Sequence, residues 1–147
     1  MNEQELLEKA IVIAVNAHRG QKDRYGAPYV LHPLRVMARL GTTTEKTVGI
    51  LHDVVEDTDW SLEDLKEEGF PQTLLSALDC VTKREGEEYE DFVKRSASNP
   101  VASRVKLADL EDNMDLRRMP QVTDQDLPRL QKYVKAWRFL KERLQTT

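Results

Sequence analysis

Hydrophobic residues recur along this chain in steps of three and four, which is the spacing of one face of an α-helix. The first such stripe is formed by Leu7, Ala10, Ile11, Ala14 and His18. The last is formed by Leu130, Tyr133, Val134, Trp137, Leu140 and Leu144. No segment shows the sustained alternation of a half-buried strand, so the pattern predicts an all-α helical bundle.

Residues that favour helix ends divide the chain into predicted helices. Pro33 stands in the first turn of one that we expect to run to about Leu40, and the next threonines cap a third that ends near Asp57. Further helices are predicted to begin after Ser61, at Pro71, near Glu88, after Asn99 and near Pro128. The length suits one domain, which we expect to span residues 1–147.

The composition excludes several classes of function. Hydrophobic residues make up 39% and charged residues 33% of the chain, as in ordinary folded proteins. The net charge of −4 argues against nucleic-acid binding, which needs a basic surface. The one cysteine, Cys80, cannot form an internal disulfide, and the sequence contains neither a signal-peptide pattern nor an apolar run of membrane-spanning length. We expect a cytoplasmic protein that binds no membrane, and the sequence leaves its oligomeric state open.

The segment LHDVVEDTD places four carboxylates at the end of the predicted third helix, where the helix dipole disfavours anions. His52 and Asp53 directly follow apolar residues, so we expect them to point partly inward, where an unpaired carboxylate is costly. A cation bound between these two side chains would remove both costs. Glu56 and Asp57, one turn further on, would then lie near the metal, where a proton-transfer carboxylate belongs.

A second acidic segment, VKLADLEDN, offers another ligand. Asp109 lies within an apolar run and Asn113 follows one turn later on the same face, so Asp109 is the acid expected to point inward. Asp112 falls on another face and is expected to be solvated. His32, at a helix start, is a further candidate ligand.

Each of these features also has a simpler explanation. A His-Asp pair arises by chance, and an acidic helix end is commonly a solvated turn. His18 suits a packing role, and Tyr133 and Trp137 suit the core. Arg35 and the C-terminal lysines and arginines suit a solvated surface. Taken alone, these residues leave both a metal site and a plain helical bundle open.

Four motifs occur together in a fixed order: AHRGQKDRYGAPYVLHP, LHDVVEDT, VTK and RVKLADLEDNM. In this order and spacing the chain resembles the HD hydrolase domain of the RelA/SpoT family, and especially its stand-alone small alarmone hydrolases. The matching segments extend from about His18 to Asn113. The resemblance implies an HD-type helical domain that binds manganese and a nucleotide substrate.

The family motifs also imply roles for individual residues. The implied manganese ligands are His32, His52, Asp53 and Asp109. Glu56 and Asp57 would activate or position the attacking water, and Asn113 would contact substrate or water. The implied reaction cleaves the bond between the ribose 3′-oxygen and the pyrophosphate of (p)ppGpp. The mixed ligand set would also accept zinc, iron or cobalt. Candidate substrate-binding residues are Arg24, Tyr25, Lys83, Lys106 and Asn113.

The chain departs from the family motifs at two places. The loop motif RK-x-G reads DRYG here, which replaces a basic residue by Asp23, and the common LADRLHN reads LADLEDN. These differences keep open a related phosphohydrolase that acts on another nucleotide. A non-catalytic nucleotide-binding regulator is a third possibility, although all the inferred ligands are present. The chain contains no synthetase domain, so we expect no (p)ppGpp synthesis.

Overall fold

The computed structural model describes residues 1–145, and within that range it contains helices and no strands. The helices are α1 (Glu3–Ala17), α2 (Leu31–Ala38), α3 (Thr43–Leu51), α4 (Val54–Asp57), α5 (Leu62–Glu67), α6 (Gln72–Cys80), α7 (Tyr89–Ala97), α8 (Pro100–Asn113) and α9 (Leu127–Gln145). Short 3₁₀ turns occupy Leu116–Arg118 and Asp124–Asp126. The predicted all-α class is confirmed.

The predicted helix starts after Ser61 and Asn99 are confirmed, and their capping bonds explain them. The Ser61 hydroxyl accepts the Asp64 backbone N–H, and the Asp64 carboxylate accepts the Ser61 N–H, which together form a capping box. The Asn99 side chain accepts two backbone N–H groups in the first turn of α8. Pro100 is the first residue of that helix, where its missing N–H costs nothing.

The predicted third helix is interrupted. α3 ends directly before His52, and the short helix α4 begins directly after Asp53. The His52 backbone N–H and the His52 Nδ1 atom both bind the Gly49 carbonyl oxygen, the latter at 2.6 Å. In a continuous helix that carbonyl would accept the N–H of Asp53. The prediction of one helix extending to Asp57 is therefore wrong.

Helix α3 lies at the centre of the main apolar cluster and packs against α1, α2 and α8. Gly49 lies where α3 meets α2, and a Cβ atom at this position would lie 2.6 Å from Leu40 Cδ1. The absence of a side chain at Gly49 therefore allows the two helices to approach closely. This approach brings His32, near the start of α2, toward His52, at the end of α3.

A second apolar cluster joins α7, α8 and α9 and includes the buried residues Leu110, Ala136 and Leu140. The predicted stripe on the last helix is correct for Leu140 but wrong for Val134, which is 43% exposed. The buried face of α9 is shifted around the helix from the predicted one, so that it includes Ala136. None of the helices within residues 1–145, α9 included, is both long and apolar enough to cross a membrane.

Candidate metal centre and its cavity

Four side-chain atoms from three segments converge at one point in the fold. His32 Nε2, from α2, lies 2.9 Å from Asp109 Oδ1, from α8. His52 Nε2, from the turn between α3 and α4, lies 3.3 Å from the same oxygen and 3.1 Å from Asp53 Oδ2. His32 Nε2 and Asp53 Oδ2 are 3.6 Å apart. All four residues are buried.

Hydrogen bonds on the outer side of each imidazole orient both rings toward this point. The Gly49 carbonyl can only accept, so Nδ1 of His52 carries the hydrogen of their 2.6 Å bond. His32 Nδ1 in the same way donates to Asp112 Oδ2 at 2.6 Å. Both Nε2 atoms therefore face carboxylate oxygens, a contact that is favourable only with a proton or a cation between them. Two imidazole nitrogens and two carboxylate oxygens form a donor set that fits a divalent transition metal.

The electrostatics of the centre also favour a positive charge. Burial alone would lower the pKa of His52, but the charges of Asp53 and Asp109 outweigh it and hold that pKa well above the ordinary value. Burial opposes ionisation of Asp53, yet the neighbouring His52 lowers the pKa of this carboxyl to about 2. The carboxylates thus stay ionised and attract either protons or a metal to the imidazoles.

Asp112 is fully buried, so the prediction that it is solvated is wrong. Its carboxylate accepts hydrogen bonds from Arg35 at 2.8 and 3.1 Å and from Arg118 at 3.0 Å, in addition to the bond from His32. Arg35, which was predicted to be solvated, keeps 37% of its side chain exposed but pairs with Asp112. His32 and Arg35 are three residues apart on α2, as Asp109 and Asp112 are on α8. This matched spacing on two packed helices was a usable signal in the sequence.

Glu56 and Asp57 lie beside the centre and are exposed to solvent. One carboxylate oxygen of each, together with one of Asp53, lies within 4.8 Å of the others. Desolvation by the cavity walls raises the pKa of both Glu56 and Asp57, and the charge of Asp53 raises it further. The Tyr29 hydroxyl donates to Asp53 Oδ2 at 2.6 Å and lies 3.3 Å from Asp57 Oδ2. Tyr29 therefore orients the Asp53 carboxylate and lies next to that of Asp57.

Lys106 and Asn113, which the sequence suggested as substrate contacts, both bind the Asp109 carboxylate. Lys106 Nζ donates to Oδ2 at 2.8 Å, and Asn113 Nδ2 donates to Oδ1 at 3.2 Å. The buried Lys106 ammonium also lies 4.8 Å from the centre of the Phe92 ring. These contacts orient Asp109 and leave its Oδ1 atom turned toward the two imidazoles.

The centre opens onto a cavity of about 660 Å³. Every predicted substrate-binding residue lines it: Arg24, Tyr25, Lys83, Lys106 and Asn113. The sequence did not identify several further lining residues, among them Lys22, Tyr89, Arg118, Arg129 and Lys132. Tyr133 packs against the second apolar cluster, as predicted, and its other side lines the cavity. The residues from α9 carry no motif, because their position depends on how that helix packs.

Several cations of the cavity have no partner of opposite charge. Lys22, Arg24, Lys83 and Lys132 are exposed and form no ion pair within residues 1–145. Desolvation lowers the pKa of Lys132, and the nearby positive charges lower it further. Because these groups repel one another, an anionic ligand between them would be bound favourably.

Comparison with known proteins supports a common origin with one family. No family model matches the chain. It is 37% identical over 121 residues to a GTP pyrophosphokinase of Streptomyces coelicolor and 33% identical over 122 residues to a guanosine-3′,5′-bis(diphosphate) 3′-pyrophosphohydrolase of Aquifex aeolicus. These alignments cover 74% and 75% of this chain but only 14% and 17% of the two relatives.

A solved structure resembles almost the whole chain. It has a TM-score of 0.70 and 28% sequence identity, and the alignment covers 96% of this chain and 92% of the other. That protein is described as a metazoan orthologue of SpoT that hydrolyses ppGpp and plays a role in starvation responses. Since both the sequence and the fold match, the chain belongs to the RelA/SpoT family.

Proposed function

We propose that this chain is a metal-dependent phosphohydrolase that removes the 3′-pyrophosphate of (p)ppGpp and releases GDP or GTP. The Aquifex relative and the SpoT orthologue carry this activity in their names, whereas the Streptomyces relative is named for GTP pyrophosphokinase activity. One structural observation carries the proposal. The two imidazole nitrogens and two carboxylate oxygens converge at a cavity that also contains unpaired cations.

The proposed ligands are His32, His52, Asp53 and Asp109. The mixed nitrogen and oxygen donors suit Mn²⁺, which is the metal that we propose. When bound, a divalent cation would polarise the phosphoryl oxygens and lower the pKa of water at the site. The outer partners of the imidazoles keep both Nε2 lone pairs directed at this position, which reduces the reorganisation needed for metal binding.

Glu56 and Asp57 are the proposed acceptors of the proton from the attacking water. Their raised pKa values favour proton uptake closer to neutral pH than for ordinary carboxylates. The Lys83 backbone N–H donates to Glu56 Oε1 at 2.8 Å and so fixes the direction of that side chain. In the reaction, water adds to the phosphorus that carries the ribose 3′-oxygen. The bond between that phosphorus and the 3′-oxygen breaks, and a proton passes to the leaving oxygen.

The unpaired cations are the proposed partners of the substrate phosphates. Arg24 and Lys83 approach the cavity from two separate loops, and Lys132 approaches from α9, so together they suit a ligand with charge at both ends. Tyr25 is the proposed contact of the base. Asn113 and Lys106 lie next to Asp109 and are the proposed contacts near the reacting phosphoryl group.

The decisive experiment incubates the purified chain with ppGpp and Mn²⁺ and separates the products by ion-exchange chromatography. We expect equal amounts of GDP and pyrophosphate. The variant Asp53→Asn should lose this activity and Mn²⁺ binding, whereas the control Asp59→Asn removes an exposed carboxylate nearby and should behave like the wild type.

Other outcomes separate the alternatives. Hydrolysis of other nucleotides but not of ppGpp would replace the proposed substrate and keep the reaction class. Nucleotide binding without hydrolysis of any member of a panel would favour a regulatory protein. A cytoplasmic location and a single domain over residues 1–147 stay predictions of the sequence.

A further inference from the structure

Arg118 joins two separate parts of the site. Its Nη1 atom donates to Asp112 Oδ2 at 3.0 Å and to the Asp112 carbonyl oxygen at 2.9 Å. Its Nη2 atom lies 3.5 Å from Asp23 Oδ2, in the loop of residues 21–29. The guanidinium also lies 5.8 Å from the centre of the Tyr25 ring. With only 16% of its side chain exposed, Arg118 forms a fixed bridge between this loop and α8.

The base of the loop is held by contacts that do not involve Arg118. Gln21 Nε2 donates to the Asp57 carbonyl oxygen at 3.2 Å, and the Tyr29 hydroxyl donates to Asp53. The Tyr29 N–H also binds the Gln21 carbonyl oxygen across the loop at 2.8 Å. The base should therefore stay in place when Arg118 is replaced.

The tip of the loop, residues 23–27, is held differently. Asp23 Oδ1 accepts the backbone N–H groups of Tyr25 and Ala27 at 2.8 and 2.9 Å, so the shape of the tip is set within the loop. The position of the tip against α8 depends on the other oxygen of Asp23, Oδ2. Among residues 1–145, the one ion-pair partner of this oxygen is Arg118. The bridge thus controls where the tip lies and not how it is folded.

The orientation of the Asp112 carboxylate depends on Arg118 much less than the position of the loop tip does. This carboxylate keeps two hydrogen bonds from Arg35 and one from His32 when Arg118 is absent. Loss of Arg118 should therefore leave the orientation of the His32 ring intact. This asymmetry predicts that a variant of Arg118 affects the loop and spares the metal centre.

Both acids that bind Arg118 lie where the chain departs from the family motifs: the loop has Asp23 in place of a basic residue, and LADLEDN, which differs from LADRLHN at three positions, has Asp112 in place of histidine. Both substitutions add negative charge, and Arg118 contacts both acids, sharing Asp112 with Arg35. We propose that Arg118 is a positioning residue that fixes the tip of the loop, with Arg24 and Tyr25, against α8 for nucleotide binding. The part of this inference that concerns nucleotide binding rests on the proposed function.

The test combines hydrogen exchange of the loop with steady-state kinetics on ppGpp. In Arg118→Met, we expect faster amide exchange in peptides covering residues 21–29, and a KM raised by about 5- to 20-fold with kcat changed by less than about twofold. Mn²⁺ affinity should match the wild type. Arg117→Met is the matched control, because Arg117 is 87% exposed and pairs with Asp115.

Two further variants separate positioning from a general loss of structure. Arg118→Lys keeps the charge but offers one compact ammonium in place of a fork, so its KM should be intermediate. Asp23→Asn keeps an oxygen for the backbone N–H groups and removes the ion pair. Its KM should rise as in Arg118→Met, and the double variant should be no worse than either single variant.

The proposal is overturned by any of three results. The first is equal loop exchange in Arg118→Met and Arg117→Met. The second is a KM in the double variant that multiplies the effects of Asp23→Asn and Arg118→Met. The third is a joint fall of Mn²⁺ affinity and kcat in Arg118→Met. Hydrogen exchange does not depend on turnover. If the wild type failed to hydrolyse ppGpp, the proposed function would fail, while the exchange data would still decide whether Arg118 holds the loop.

Discussion

His32 Nδ1 donates a hydrogen bond to Asp112 Oδ2 across 2.6 Å, and the Asp112 carboxylate is fully buried. The bond connects α2 to α8 and directs the opposite ring nitrogen of His32 toward Asp109. Burial opposes ionisation of Asp112, but the hydrogen bonds from His32 and Arg35, with the charge of Arg118, hold the pKa of this carboxyl well below its usual range, so the carboxylate stays ionised and accepts the hydrogen on Nδ1. Outer carboxylates of this kind raise the basicity of a metal-binding imidazole.

Replacement of Asp112 should therefore weaken metal binding without removing a ligand. For Asp112→Asn we expect Mn²⁺ affinity to fall by about 10- to 100-fold, since the neutral amide no longer fixes the ring tautomer. Isothermal titration with Mn²⁺ measures this change. Asp59→Asn is the control, and an unchanged affinity in Asp112→Asn would show that the His32 ring is held by packing alone.

Metal binding should also stabilise the fold. A ligand that binds only the folded state stabilises it by about 2.7 kcal/mol at a concentration of 100 Kd. We expect Mn²⁺ to raise the Tm of the wild type but not that of Asp53→Asn, and a chelator to reverse the effect. Differential scanning calorimetry measures both. An equal rise in the two proteins would place the bound ion elsewhere.

Replacement of a proton-transfer carboxylate should lower kcat and leave metal binding nearly unchanged. Glu56→Gln and Asp57→Asn each remove one of the two candidate proton acceptors. The variant that removes the true acceptor should have a kcat lower by about 10²- to 10⁴-fold. Mn²⁺ affinity should stay within about threefold of the wild type in both, because neither is a proposed ligand. Full activity in both variants would contradict a role for this pair in proton transfer.

Gly49 should be needed for the close approach of α2 and α3. A methyl group there would lie 2.6 Å from Leu40 Cδ1, so Gly49→Ala forces the helices apart or displaces Leu40. We expect a loss of about 1–3 kcal/mol in the free energy of unfolding, measured with urea. Gly41→Ala is the control, since the nearest atom to an added Cβ there is 4.0 Å away. Equal stability of the two variants would contradict the packing argument.

The Arg95–Glu87 ion pair should give the stability a dependence on acidic pH. Hydrogen bonds from Arg95 lower the pKa of Glu87 to about 2, so its contribution is complete above the unfolded pKa. It is lost as the pH falls below about 4.5 toward 2. The stability difference between wild type and Glu87→Gln should be constant above about pH 5 and shrink below it. Acid titrations of the wild type and Glu87→Gln measure this stability difference, with Glu85→Gln as control. A difference that does not depend on pH would contradict a stabilising Arg95–Glu87 ion pair.

Much of the candidate site could be predicted from local sequence. His52, Asp53 and Asp109 are polar residues within apolar runs, and that conflict indicated inward-facing side chains without any knowledge of the fold. The capping residues Ser61 and Asn99 likewise determined where α5 and α8 begin, because their hydrogen bonds reach only the next turn.

The sequence by itself determined the helical class, most helix starts and the identities of the groups that converge. The tertiary structure decided the break at His52, the burial of Asp112 between two arginines, and the contribution of α9 to the cavity. The last two of these features depend on contacts between residues far apart in the chain. Asp112 meets His32 80 residues away, and periodicity within one helix cannot reveal which charged face its neighbour will cover.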